Sequence, residues 1–352
     1  MQIKGKNLQI PLIQGGMGVG ISLGNLAGNV ALCGGMGVIS TANPGYRAKD
    51  FWKNSNECNI QALKEEILKA KNIAKGKGLV AINAMVATVS FETMVKTAVE
   101  NMVDCIISGA GLPLNLPELV EGSDVAIAPI VSSSKAARTI SRLWDKKYGV
   151  AADFIVIEGP TAGGHLGFSS KDLKENTTQS LETILSEVRE IIKPFEEKYA
   201  RKIPLFVAGS VNTREKVKKM LNLGADGVQV ATRFIATKEC DASEKYKQTY
   251  VEAKNSQVRI IKSPVGMDGR ALSTPFLEKL DKIGRIEPKK CINCIHTCNP
   301  KTTPYCITDA LINAAVGDFD EGLYFCDDDV DAITKISTVK NVISELFDVE
   351  EN

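Results

Sequence analysis

The segment Glu158-Gly-Pro-Thr-Ala-Gly-Gly-His-Leu-Gly167 sets one of the chain's two histidines in a glycine-rich stretch. It follows an apolar run, Phe154-Ile-Val-Ile157, that reads as a buried strand. Glycine has no Cβ, so main chain built from it can lie close against a ligand. Histidine titrates nearest to neutrality of all side chains. A strand ending in such a loop would aim His165 at whatever the loop touches, as a general acid or base. A purely structural histidine is the alternative.

Two later turns have the composition of a phosphate cradle. They are Ala208-Gly-Ser-Val-Asn212 and Val230-Ala-Thr-Arg233, each after a short apolar run. An anion is held there by main-chain N–H groups at a helix start, where the helix dipole also favours it. Gly209 would admit the backbone, and Ser210 and Thr232 would add hydroxyl donors. Ordinary helix capping by these residues is the alternative. Near the start of the chain, Gln14-Gly-Gly-Met17 would let main chain lie along a flat ring, with Met17 as a soft surface. Asn83 can both donate to and accept from a heterocycle edge. Lys135 opens a helical stretch, where a cation opposes the dipole. It would serve there to neutralise the electron-rich end of a reduced cofactor, unless it is a solvated lysine.

Five of the nine cysteines fall after position 290: Cys291, Cys294, Cys298, Cys306 and Cys326, with His296 among them. The Cys291-Ile-Asn-Cys294 spacing is known from zinc sites, but a second such pair is absent. An iron–sulfur cluster would need four convergent thiolates. Reduced thiols without metal are the expectation, and a metal- or cluster-binding redox protein is the alternative. The first residues lack an apolar leader, so a cytoplasmic location and free thiols are expected. The net charge of +1 points to no nucleic-acid partner. Apolar runs broken by Gly, Asn or charge point away from a membrane span.

Positioning these residues requires a repeating scaffold. Eight strand-like runs are expected: 10–13, 37–40, 79–82, 105–107, 125–130, 154–157, 204–208 and 227–230. Helical patterns lie between them at 60–74, 91–100, 135–144, 180–195 and 213–223. Alternating strand and helix implies parallel pairing through crossovers. Eight units fit a TIM (β/α)₈ barrel, typically about 250 residues, whose chemistry sits at the strand C-termini. An open doubly wound sheet is the alternative. The barrel is expected over residues 1–240, and 241–352 as a helical, cysteine-containing C-terminal extension over its mouth. In that extension, 242–255, 309–316 and 330–346 read as helical and 263–270 as a loop. The run Asp327-Asp-Asp329 reads as a solvated helix start.

As an ordered set, Gln14-Gly-Gly-Met17, Ser132-Ser-Ser-Lys135, Ala162-Gly-Gly-His-Leu-Gly167, Ala208-Gly-Ser210 and Gly224-Ala-Asp-Gly-Val-Gln-Val-Ala-Thr-Arg-Phe234 resemble the nitronate monooxygenase (2-nitropropane dioxygenase) family. The resemblance extends to flavin-dependent enoyl-acyl-carrier-protein reductases and NAD(P)H:quinone reductases. It implies an FMN-dependent oxidoreductase, with the phosphate at Gly209, Ser210, Ala231 and Thr232. It places the ring near Gly16, Met17, Asn83 and Lys135, and turns His165 to the substrate. Gln14, Glu158, Gly163, Gly164, Ala208 and Gln229 complete the implied cofactor contacts. The implied reaction is oxidation of alkyl nitronates with O2. The alternative is NAD(P)H-dependent reduction of an enoyl thioester or a quinone, and a homodimer stays open. Two departures stand out: Thr161 replaces a residue that is often acidic, and Ala231 one that is usually glycine.

Overall fold

The computed structural model describes residues 1–348. Its centre is a closed barrel of eight strands, β1 (Leu12–Gln14), β2 (Met36–Ser40), β3 (Leu79–Met85), β4 (Cys105–Gly109), β5 (Ala126–Val131), β6 (Ile155–Glu158), β7 (Leu205–Ala208) and β8 (Gly227–Val230). Neighbours follow chain order, every pairing within the barrel is parallel, and β6 pairs with β7 and β8 with β1 to close it. The TIM-barrel expectation therefore holds, and all eight expected runs supply a strand.

Side chains alternate across a strand, and this decides what faces the barrel axis. Leu79 and Ala81 of β3 pack inside the barrel, and so do Phe154 and Val156 at β6. Val80, Ile82, Ile155 and Ile157 pack outward against helices. Two residues further along the inward parity stand Asn83 and Glu158. Phe206 of β7 fills the interior edge-on to Phe154, with ring centroids 5.6 Å apart.

The outer ring comprises α1 (Gly24–Leu32), α2 (Ser55–Ala74), α3 (Phe91–Glu100), α4 (Leu116–Leu119), α5 (Ser134–Tyr148), α6 (Leu181–Tyr199), α7 (Arg214–Asn222) and α8 (Val339–Leu346). Ser133, Ser180, Thr213 and Thr338 each accept a main-chain N–H at a helix start, the capping role such residues favour. The last helix closes the ring. It packs against α1, α7 and the short helix Thr232–Ile235, and Val339, Val342, Ile343 and Leu346 join the barrel's outer core. Residues 236–338 are thus an excursion between β8 and α8 that covers the mouth. The excursion contains a hairpin, Val258–Lys262 with Asp268–Leu272, and the helices Glu244–Glu252, Pro275–Ile283 and Ile307–Val316.

Three local expectations are corrected. The helix expected over 330–346 begins only at Val339, because Ser337 bridges in parallel to Thr237 and donates its N–H to Ala236. The stretch expected as a loop over 263–270 is strand from Asp268 onward. The acidic run 327–329 starts no helix: Asp327 is buried, and the run forms an irregular strap. Among the described residues, no helix is long and apolar enough to cross a membrane.

Candidate active site

A cavity of about 410 Å³ opens at the C-terminal ends of the strands, within the usual range for small-molecule sites. The barrel supplies its floor: Gly16, Met17, Asn83, Glu158 and Gln229, with Ala231 and Thr232 just after β8. The excursion supplies its roof, through Val265, Met267, Ile295, Ile307, Leu311 and Phe325.

The loop after β6 is held from above. Gly164 and His165 form a short strand that pairs antiparallel with Arg270 and Gly269 of the hairpin. Leu166 donates its N–H to the Asp268 carbonyl at 2.8 Å, and the Arg270 guanidinium donates to the Ala162 carbonyl. Gly163 is needed for close approach, since a Cβ there would lie 2.5 Å from the Cys326 carbonyl carbon. His165 Nε2 lies 2.7 Å from Ser263 Oγ, and its ring centroid lies 5.0 Å from that of Phe325. Burial drives the imidazole pKa down to about 4, so the ring is neutral at neutral pH. Glu158, half-buried in the same wall, is pushed up to about 8 by burial and carries a proton at neutral pH.

Gln229 has the third inward position at the mouth, and its buried Oε1 has no hydrogen-bond partner. Such an orphaned acceptor costs about 1–3 kcal/mol unless a ligand N–H or O–H meets it. Together with the glycine-lined floor at Gly15 and Gly16, it fits the edge of a flavin ring. At the other end Thr232 Oγ1 accepts the Asp327 N–H at 3.1 Å.

The cavity brings together Gly16, Met17, Asn83, Glu158, Gly163, Gly164, His165, Gln229, Ala231 and Thr232. Five other residues of the expected set lie off its wall. Gln14 has the outward parity of β1, and its Oε1 accepts the Val38 N–H at 3.1 Å. Ala208 is buried within the barrel interior. Gly209 has φ +120°, a conformation for glycine alone, and Ser210 follows at φ 48°. The Ser210 hydroxyl donates to Asp328 of the strap and its oxygen lies 3.2 Å from the Thr161 carbonyl, so the strap stands over this turn. Lys135 is exposed. Ser133 caps α5 and lines the cavity with Ala136, three residues on and on the same helix face, which turns Lys135 away.

Sequence reasoning missed Ser263, Thr308 and Phe325. Ser263 meets His165 across 98 positions, and no local pattern signals that pairing. Of the cysteines, Cys294 and Cys326 line the cavity, Cys291 is exposed and Cys306 stands at a helix N-cap. Among the described residues, no group of three or more His, Cys, Asp or Glu is placed to hold a metal ion.

The nitronate monooxygenase family model matches residues 2–348, nearly the whole chain. The chain belongs to the nitronate monooxygenase family. It is therefore an enzyme, a flavin-dependent oxidoreductase by family. A relative described as a probable nitronate monooxygenase, from Staphylococcus haemolyticus, is 23% identical over 300 residues, covering 80% of each chain. Among solved structures, FabK from Thermotoga maritima aligns with TM-score 0.73 and 23% identity over 96% of this chain and 92% of its own. Nitroalkane oxidase from Streptomyces ansochromogenes aligns with TM-score 0.72 and 17% identity over 96% and 95%. At these identities the two structures support the fold. The Thr161 carbonyl ties down the strap, accepting from Asp328 N–H at 3.3 Å.

Proposed function

We propose that the chain binds FMN and oxidises alkyl nitronates with dioxygen, with His165 as the group that handles the substrate proton. The observation that carries this reading is His165 itself: a neutral imidazole, anchored by Ser263, in the wall of the cavity floored by the strand ends. Gly16, Met17 and Asn83 would flank the ring, and Gln229 Oε1 would accept from its edge. Ala231 and Thr232 would hold the single phosphate, while the Ser210 hydroxyl stays with Asp328. Bound FMN supplies the electron-accepting ring and its reoxidation by dioxygen.

A neutral imidazole is the form that can take a proton from the α-carbon of a nitroalkane. Its anchor also sets the tautomer. With Ser263 donating, Nδ1 carries the ring hydrogen and Nε2 is spent; with Ser263 accepting, Nδ1 is the free base. A pre-formed nitronate has already lost that proton and needs only a hydrogen bond. Reduction of an enoyl thioester or quinone would use the same histidine but requires a nicotinamide nucleotide. Among the described residues no Lys or Arg lines the cavity, so the FMN phosphate would rest on main-chain N–H groups and Thr232, and a dinucleotide diphosphate would need further donors of that kind.

His165→Asn tests this assignment. The variant should retain FMN and the fold, and lose about 10²–10⁴-fold in rate on neutral nitroalkanes. Pre-formed nitronates should react nearly as with the parent. Equal rates for parent and variant on the neutral substrate would remove His165 from the chemistry.

A further inference from the structure

A second polar point lies in the cavity roof, and the direction of its hydrogen bonds can be worked out from a fixed end. The Gly45 main-chain N–H can only donate, and it does so to Asn59 Oδ1 at 3.0 Å. Asn59 Nδ2 must then be the atom that donates to Asn43 Oδ1 at 3.1 Å. This orientation leaves Asn43 Nδ2 to donate to Thr308 Oγ1 at 3.2 Å. Asn59 and Thr308 are 4% and 2% exposed, so the relay is shielded from competing water. Asn43 holds a left-handed conformation at φ 49°, which asparagine tolerates better than most residues.

The relay occupies one lone pair of the Thr308 oxygen and leaves its hydrogen to donate. Among the described residues, the one side chain within reach of that hydrogen is Cys294, whose Sγ lies 3.1 Å from Thr308 Oγ1. A thiol sulfur is a weak acceptor. Thr308, Asn43 and Cys294 all line the cavity, and apolar Ile295, Ile307 and Leu311 surround them. A hydroxyl fixed as a donor, resting on a poor acceptor in an apolar roof, is a recognition point without its natural partner.

We propose that Thr308 is a substrate-recognition donor that takes an uncharged oxygen acceptor, such as a carbonyl, ester or ether oxygen, carried by the substrate away from its reacting carbon. The acceptor is uncharged because Thr308 is set among apolar Ile295, Ile307 and Leu311, where an unpaired buried charge is strongly disfavoured. The proposal rests on the reading that this cavity is the catalytic one. It adds that the preferred substrate is bifunctional: a nitronate at His165 and a neutral oxygen under the roof.

The test compares the nitronates of methyl 4-nitrobutanoate and 1-nitrohexane on the full-length flavin-loaded enzyme. The first should be preferred in kcat/KM. Thr308→Val should reduce that preference about fivefold to tenfold, the loss expected for one hydrogen bond to a neutral acceptor, and Thr308→Ser should restore it. An unchanged preference in Thr308→Val, or the same fall in Thr308→Ser, overturns the proposal. A calorimetric dissociation constant for 2-heptanone separates this outcome from failure of the catalytic reading, since it needs no turnover. It should rise about fivefold in Thr308→Val. If that variant does not fold, Cys294→Ala serves: removing the resting acceptor frees the donor and should tighten 2-heptanone binding. An unchanged or weakened constant there overturns the proposal.

Discussion

Glu158 and His165 sit in one cavity wall, and burial shifts both toward their neutral forms by opposite routes. A carboxyl is neutral when protonated and an imidazole when deprotonated, so desolvation raises the first and lowers the second. Each shift has a consequence for stability. The folded Glu158 value of about 8 lies above the ordinary 4.5, so the folded protein holds that proton more tightly than the unfolded chain. Its contribution is full below pH 4.5 and is lost as pH rises through about 8. His165 acts in the other direction, losing stability as pH falls from 6.5 through about 4. Glu158→Gln, which keeps the neutral shape, should therefore gain stability relative to the parent as pH rises from about 5 to about 9. Thermal melts of both apoproteins across that range measure it, and a difference independent of pH would mean that Glu158 is solvated. Asn83 and Glu158 were legible as polar residues at strand ends, and the parity of β3 and β6 turns both inward. The same parity argument excludes Gln14, whose neighbour Ile13 takes the inward position.

At the scale of elements, the barrel depends on a helix more than 100 positions from the strand it follows. α8 buries Val339, Val342, Ile343 and Leu346, each at most 2% exposed. Burial of such side chains contributes about 1.5–3 kcal/mol each. Their loss would cost about 6–12 kcal/mol, comparable with the whole net stability of about 5–15 kcal/mol for a typical protein. A chain ending at Thr338 should therefore be insoluble or lack a cooperative melt, although every residue of the cavity is still present. A truncated protein that melts like the parent would show α8 to be dispensable. The strands were legible because each is a nearly unbroken apolar run covered on both faces, and β8 matches its expected bounds. The helix at 330–346 was overextended because residues 330–338 have apolar positions at helical spacing, but the Ser337 N–H donates to the Ala236 carbonyl and those of Val330 and Asp331 to Asn255 Oδ1. The acidic strap was misread for a related reason. Carboxylates are usually solvated, yet here Asp327 is buried and pushed up to about 7 by that burial, and Lys216 pairs with Asp329 at 2.9 Å.

For the molecule as a whole, the barrel sets the floor of the site and the excursion between β8 and α8 sets its roof. The floor was legible through local motifs, because glycine-rich turns and inward polar residues follow their strands directly. The roof was not. Ser263 and Thr308 reach the cavity through tertiary packing, and Lys135 is turned away by the cap of its own helix. Under the proposed function, the cofactor would be bound by the barrel and the substrate chosen by the roof. The electron source is the central claim, and anaerobic titration of the purified enzyme tests it most directly. Addition of an alkyl nitronate should bleach the flavin absorbance, addition of NADH or NADPH should leave it unchanged, and the pigment released on denaturation should be FMN. Rapid bleaching by NADH or NADPH alone, with none by the nitronate, would contradict the account.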